Sequence, residues 1–161
     1  MPSFDVVNRL DSQEIDNAIA NTTREIANRY DFKESHTTIE RKENQIIILT
    51  EDELKLKQVH DLIITHLVRR KVNPLCLNKS DKEKAGGNKI RQSYNLIEGI
   101  DQSISKKIIS NVKNLKIKVQ VKINGDELRV EGKKKDDLQK IMEIIRDSKL
   151  EIPVQFVNFR D

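Results

Sequence analysis

The chain has no tryptophan, one cysteine, three prolines and five glycines in 161 residues, and aromatics make up only 4% of it. Each scarcity excludes something. The single Cys76 forms no internal disulfide, so a disulfide-stapled secreted scaffold is ruled out and a soluble, reducing, cytoplasmic setting is expected. No apolar run approaches the roughly 20 residues that a membrane-spanning helix needs, so no membrane partner is expected. Asp5 stands early and no basic segment leads into an apolar one, so no signal peptide is expected. The few aromatics are Phe4, Tyr30, Phe32, Tyr94, Phe156 and Phe159; none falls in the runs Gln45–Leu49 or Glu127–Glu131, where an RNA-recognition motif would carry base-stacking rings.

What the chain does have is a pattern written twice. Phe4-Asp5-Val6-Val7 reads against Tyr94-Asn95-Leu96-Ile97, and Asp11 against Asp101. Further on, Ile39, Ile46, Ile48, Leu56, Val59, Leu62 and Ile63 match Val121, Leu128, Val130, Leu138, Ile141, Ile144 and Ile145. Pro74-Leu75-Cys76-Leu77 echoes Pro153-Val154-Gln155-Phe156. A repeat this long is not a solenoid unit but a small domain of like topology, each with a modest core.

Within each copy the periodicities are legible. Residues 3–9 read as a strand, and Asp11-Ser12-Gln13-Glu14 starts a helix carrying Ile15, Ala18, Ile19, Thr22 and Ile26 at helical spacing. Thr37–Lys42 and Gln45–Leu49 read as a hairpin; a second helix runs from about Asp52 to Arg70; Pro74 stops helix and leads into a short strand, Leu75–Leu77. The cycle then repeats. Gln92–Ile97 is a strand, Asp101 caps a helix, Ile117–Ile123 alternates, Asn124-Gly125 turns, Asp136 or Asp137 opens a helix and Val154–Phe159 is a strand. The expected fold is α+β, a tandem of two ferredoxin-like or RNP-like βαββαβ domains, each an antiparallel sheet with two helices on one face. The boundaries are 1–77, a linker 78–89 around Gly86-Gly87, and 90–161. The similar end segments, Pro2–Val6 and Pro153–Phe156, leave open whether strand 2–9 pairs in the first sheet or is exchanged into the second.

Such a sheet leaves one face open unless something covers it. In the second copy, alternation sends Lys118, Gln120, Lys122 and Arg129 to that face, and the net charge of the two halves, −1 over residues 1–88 and +5 over residues 89–161, favours an anionic ligand there. The lysines and Arg129 would neutralise phosphate, Gln120 would read a base edge, and a terminal aromatic, Phe159, would stack a base. In the first copy Ile46-Ile47-Ile48-Leu49 is apolar on both faces, which predicts low exposure for Ile47 and Leu49.

Catalytic chemistry is not assembled. His60 and His66 are six apart on one helix and make a poor metal pair, Cys76 lacks a nearby His, Gly86-Gly87-Asn88-Lys89 lacks phosphate-loop spacing, and Glu51-Asp52-Glu53 suits a helix start. Lys133-Lys134-Lys135 reads as a solvated turn that can touch phosphate. No enzyme, metal or cofactor is expected.

Met1-Pro2-Ser3-Phe4-Asp5-Val6-Val7, Arg29-Tyr30-Asp31-Phe32-Lys33, Gly125-Asp126-Glu127-Leu128-Arg129-Val130, Lys135-Asp136-Asp137-Leu138-Gln139 and the ending Phe156-Val157-Asn158-Phe159-Arg160-Asp161 resemble the bacterial YajQ family over essentially the whole chain. The resemblance implies two RNP-like domains in a cytoplasmic protein that binds a nucleotide (cyclic di-GMP, GTP or ATP) or RNA, with a transcription factor as a further partner. It brings no catalytic motif and no mappable binding motif. The expected function is therefore a non-enzymatic, nucleotide-binding regulator. The alternative is a protein-interaction adaptor that uses the apolar strand Ile46–Leu49, with incidental nucleotide binding.

Overall fold

The computed structural model describes residues 1–161, which divide into two compact units, and the chain passes between them twice. One unit comprises residues 1–9 and 98–161, the other residues 10–97.

In the unit of residues 10–97, α1 (Ser12–Asn28) is followed by the hairpin β2 (Thr38–Lys42) and β3 (Gln45–Thr50), then α2 (Glu53–Arg69), the short strands β4 (Leu77–Lys79) and β5 (Glu83–Ala85), and β6 (Lys89–Leu96). The sheet order is β2-β3-β6-β4, with β5 also on β6. Ile46 and Ile48 are fully buried under α1 and α2, alongside Tyr94, Val59, Ile63 and Leu67. Ile47 and Leu49, on the other side of β3, are half-buried. Because β3 is hydrogen-bonded on both sides, by β2 and β6, it offers no free edge to a partner strand.

The unit of residues 1–9 and 98–161 contains β1 (Ser3–Val7), α3 (Gln102–Asn114), β7 (Val119–Asn124), β8 (Glu127–Gly132), α4 (Lys135–Asp147) and β9 (Gln155–Arg160), with sheet order β7-β8-β1-β9. Its core sets Phe4, Val6, Leu128 and Val130 against Ile108, Val112, Leu138, Ile141 and Ile145.

The two sheets follow one plan with an exchange. Each has an α+β layer with both helices on one face, but the central strand of each sheet comes from the far side of a crossing: β1 lies between β8 and β9, and β6 lies between β3 and β4. Strand 92–97, expected to open the second domain, instead pairs along its length with β3, Ile46 facing Tyr94 and Ile48 facing Gln92. The physical reason is that both candidates fit both slots. Phe4 and Tyr94 put an equivalent aromatic at the centre of each core, and both are buried. Periodicity therefore cannot tell which copy a strand joins. The segment 78–89 also carries more structure than a linker: β4 extends to Lys79 and β5 pairs Glu83–Ala85 with β6. The strand expected at Leu75–Leu77 begins at Leu77, after a single 3₁₀ turn at Pro74–Cys76 that Asn73 caps.

Three of the helices begin on a carboxylate. Asp11 accepts from the amide of Glu14, Asp52 from that of Lys55 and Asp101 from that of Ile104, at 3.2, 2.7 and 2.9 Å. Each satisfies an amide that the first turn leaves without a partner. The fourth helix, α4, starts at Lys134 with no side-chain cap.

Candidate functional site

The register of β7, β8, β1 and β9 decides which predicted residues meet. Gln120 lies opposite Glu131 and Lys122 opposite Arg129; on the other side of β8, Arg129 lies opposite Asp5 and Glu131 opposite Ser3. Gln120, Lys122 and Arg129 thus share the face away from the helices, as the alternation predicts.

That face is not a free cationic surface. Arg129 Nε donates to Asp5 Oδ1 at 3.1 Å, Asn158 Nδ2 donates to Asp5 Oδ2 at 2.8 Å, and Arg160 lies 3.5 Å from the same carboxylate. Burial alone would raise the Asp5 pKa, but these three partners outweigh it and hold the carboxyl below its ordinary value. Lys122 Nζ sits 3.4 Å from Glu131 Oε2. Arg9 pairs with Glu127 at 3.0 Å. The open face is therefore charge-balanced. The exchange of β1 is the cause, since only it brings Asp5 opposite Arg129.

Phe159 lies elsewhere. The register of β1 on β9 shifts between Ser3 and Asp5, and Asn158 takes a left-handed φ of 56°. This bulge turns the Phe159 ring toward Phe4, with centroids 6.0 Å apart and rings stacked. Phe4 belongs to the buried row facing the helices, so Phe159, although 62% exposed, does not join the face of Gln120 and Arg129.

Lys118 precedes β7 and, with Gln120, lines a cleft of about 650 Å³ whose other walls include Lys116, Lys133, Lys134 and Met1. Two carboxylates reach this lining, Glu131 and Asp137, and Glu131 is already held by Lys122. The lysines of this unit that form ion pairs are Lys122 and Lys135; no ion pair involves Lys116, Lys118, Lys133 or Lys134. Gly132 forms part of the wall, and a Cβ there would meet a Val119 methyl at 3.0 Å and a Leu138 methyl at 3.3 Å. A side chain at Gly132 would press on both β7 and α4 at that point. Of the predicted residues, then, the cleft unites Lys118 and Gln120, Lys122 and Arg129 stand in ion pairs on the sheet, and Phe159 packs against Phe4. The lysine run 133–135 was a visible signal for Lys133 and Lys134. Nothing in the sequence singled out Lys116, which reaches the cleft through a left-handed turn after α3 (φ 53°).

In the other unit, His60, His66, Cys76 and Glu51 serve the fold. His60 Nδ1 meets the Tyr94 hydroxyl at 2.7 Å and the rings stack. His66 is buried and bonds Glu25 at 2.9 Å between α2 and α1. Burial pushes the Cys76 thiol up, which keeps it protonated and unreactive. The Glu51 carboxylate accepts from the His36 amide and the Ser35 hydroxyl.

Comparison with known proteins then places the chain. The family described as nucleotide-binding protein YajQ-like matches residues 2–160. This chain belongs to that family. It is 55% identical to a nucleotide-binding protein of Pelagibacter ubique, 49% to one of Parvibaculum lavamentivorans and 47% to one of Paramagnetospirillum magneticum, each over 161 residues and the full length of both chains. The YajQ family membership bears out the resemblance read from the termini and internal motifs. No helix of the chain is long and apolar enough to cross a membrane.

Proposed function

We propose that this YajQ-family chain binds a nucleotide reversibly, without chemistry, in the cleft between the start of β7, the end of β8 and the start of α4. The observation that carries this reading is the lysine lining: Lys116, Lys118, Lys133 and Lys134 converge on one concavity and none stands in an ion pair. A cleft of about 650 Å³ falls within the range of about 300–1,000 Å³ typical of small-ligand sites. The unit that holds it has 15 Lys/Arg against 12 Asp/Glu. Lys134 at the start of α4 leaves the first amides of that helix without a side-chain acceptor, which favours an anion there. Gln120 supplies an amide for a base edge or a sugar hydroxyl. Lys122 and Arg129 border the site from their ion pairs and respond to the ligand only by exchanging a carboxylate for a phosphate.

Within this reading the ligand is a purine nucleotide such as cyclic di-GMP, GTP or ATP, or a segment of RNA. The biological role is regulatory, in the cytoplasm, through a transcription factor or an RNA. The relatives carry the name nucleotide-binding protein, which supports the class of ligand. The test is a calorimetric titration of cyclic di-GMP, GTP and a short oligoribonucleotide into the wild type and into Lys118→Glu/Lys134→Glu. Loss of binding in the double variant, with an unchanged circular dichroism spectrum, is expected. Unchanged affinity removes the site.

A further inference from the structure

In the unit of residues 10–97, the most exposed large apolar side chain is Tyr30, at 88%. Exposed aromatics are otherwise few, and the backbone that carries this one is held in place. Tyr30 opens a 3₁₀ turn, Tyr30–Phe32, at the end of α1. The amide of Phe32 donates to the carbonyl of Arg29, and that of Lys33 to the carbonyl of Tyr30. On one side Arg29 donates twice to Asp31, at 3.0 Å through both Nε and an outer nitrogen, and its guanidinium lies over the Phe32 ring. On the other side Phe32 is buried in the core. A solvent-exposed ring on so tightly fixed a turn loses little freedom when a flat ligand lies on it.

The ring is one wall of a depression of about 340 Å³, completed by Ala27, Asn28, Arg29 and Lys33. Arg29 is engaged by Asp31 and Glu25 and so acts as a scaffold. Lys33 and Asn28 are not engaged: no ion pair involves Lys33, and no hydrogen bond involves the Asn28 amide. Ala27 is small enough to let a planar group approach the helix end. The depression therefore offers a π-face, an amide with two donors and an acceptor, and a free ammonium, within one turn of chain.

We infer that Tyr30, Asn28 and Lys33 form a nucleobase-stacking subsite for a nucleotide, separate from the lysine-lined cleft. The base lies on Tyr30, Asn28 hydrogen-bonds its edge and Lys33 meets its phosphate. Stacking on an exposed ring tolerates any base, and loss of the ring costs on the order of tenfold or more in affinity.

The experiment exploits the composition. The protein has two tyrosines, and Tyr94 is buried, so the ring protons of Tyr30 form a distinct, exposed set in a proton NMR spectrum. AMP and GMP are titrated into the full chain, into Tyr30→Leu and Tyr30→Phe, and into Lys118→Glu/Lys134→Glu. The inference expects a saturable upfield shift of the Tyr30 ring protons in the wild type. That response should persist in the Lys118→Glu/Lys134→Glu variant. Binding at this subsite should weaken at least about tenfold in Tyr30→Leu and be retained in Tyr30→Phe, where the π-face survives. If the nucleotide binds but Tyr30 does not shift, Tyr30→Leu binds as well as wild type and Lys118→Glu/Lys134→Glu loses binding, the subsite is refuted while the cleft stands. If Tyr30 responds and the lysine variant binds as well as wild type, the subsite stands and the cleft is refuted. Absence of any saturable response at millimolar nucleotide refutes both.

Discussion

Asn8 and Gly99 hold each other by two hydrogen bonds where the chain makes its two passages between units: the Gly99 amide donates to the Asn8 carbonyl at 2.7 Å, and Asn8 Nδ2 donates to the Gly99 carbonyl at 3.1 Å. Next to them the amide of Ile100 donates to the carbonyl of Asp126 at 2.8 Å. Gly99 has φ +84°, and a Cβ there would come within 2.6 Å of Asp126 Oδ2. Two penalties therefore fall on Gly99→Ala, a left-handed backbone and a collision, and together they should cost about 1–3 kcal/mol. Urea unfolding should show a lower midpoint with an unchanged slope. Adding Asp126→Ala should recover the collision part and leave the backbone part. A Gly99→Ala protein as stable as wild type would mean the joint relaxes freely.

Arg129 is the residue for which stability and binding can be separated. Its guanidinium serves Asp5, whose side chain is 8% exposed and takes donors from Arg129, Asn158 and Arg160. Arg129→Gln should therefore lower unfolding stability by roughly 1–3 kcal/mol, since a buried carboxylate loses a charged partner, and should change nucleotide affinity little. Lys118→Gln should do the reverse. The Asp5 pKa is depressed in the folded state, so its contribution is present above the unfolded carboxylate range, near pH 4, and is lost as pH falls through the folded value. Asp5→Asn should flatten the acid limb of the stability curve; an acid limb as steep as that of wild type would assign it to other carboxylates.

The His60–Tyr94 pair predicts a second, milder pH dependence. The Tyr94 hydroxyl can donate to Nδ1 only while that nitrogen is unprotonated. Burial, reinforced by Lys79, lowers the His60 pKa, and burial with the Asp61 charge pushes that of Tyr94 up to about 12. With His60 depressed, the unfolded chain takes up a proton first. Stability is complete above the unfolded histidine range, near pH 6.5, and declines as pH falls from there toward the folded value. Denaturation at about pH 7.5 and about pH 5.5 should show this decline in wild type and a smaller one in His60→Gln. An equal decline in both would place the titrating group elsewhere.

Helices, hairpins and the α+β plan were legible because each rests on a local signal: the capping carboxylates Asp11, Asp52 and Asp101, and the alternation of Val119–Ile123 against Leu128–Val130. The strand exchange was not. Phe4-Asp5-Val6 and Tyr94-Asn95-Leu96 carry the same aromatic-polar-apolar pattern, so no local signal assigns either to a sheet; long-range pairing decides. That one ambiguity propagated to the site. With strand 92–97 in the second sheet, Arg129 had a neutral neighbour and looked available; with β1 there, it has Asp5. The outward placement of Lys122 was legible, but so was that of Glu131 beside it, and the alternation that put Arg129 outward put both glutamates of β8 there too. The Phe159 reversal depends on a bulge at Asn158, a left-handed residue that composition does not announce.

The charge balance of the sheet face yields a prediction of gain. Glu131 is one of two carboxylates lining the lysine cleft, and it holds Lys122 at 3.4 Å. Glu131→Gln removes a negative charge from the lining and releases a cation beside it, while Gln keeps the shape and sits on a half-exposed strand. At such partly solvated separations a unit charge is worth on the order of 1 kcal/mol, so nucleotide affinity should rise about fivefold. The rise should be larger at low salt and shrink as ionic strength increases, because the added attraction is screened over about a Debye length of 10 Å at 0.1 M. Calorimetric titration of GTP at two salt concentrations measures both effects. A gain independent of salt would point to altered shape, and a loss of affinity would mean that Glu131 contacts the ligand as an acceptor, with the nucleotide's base or sugar turned toward β8 and its phosphates away from the lysines.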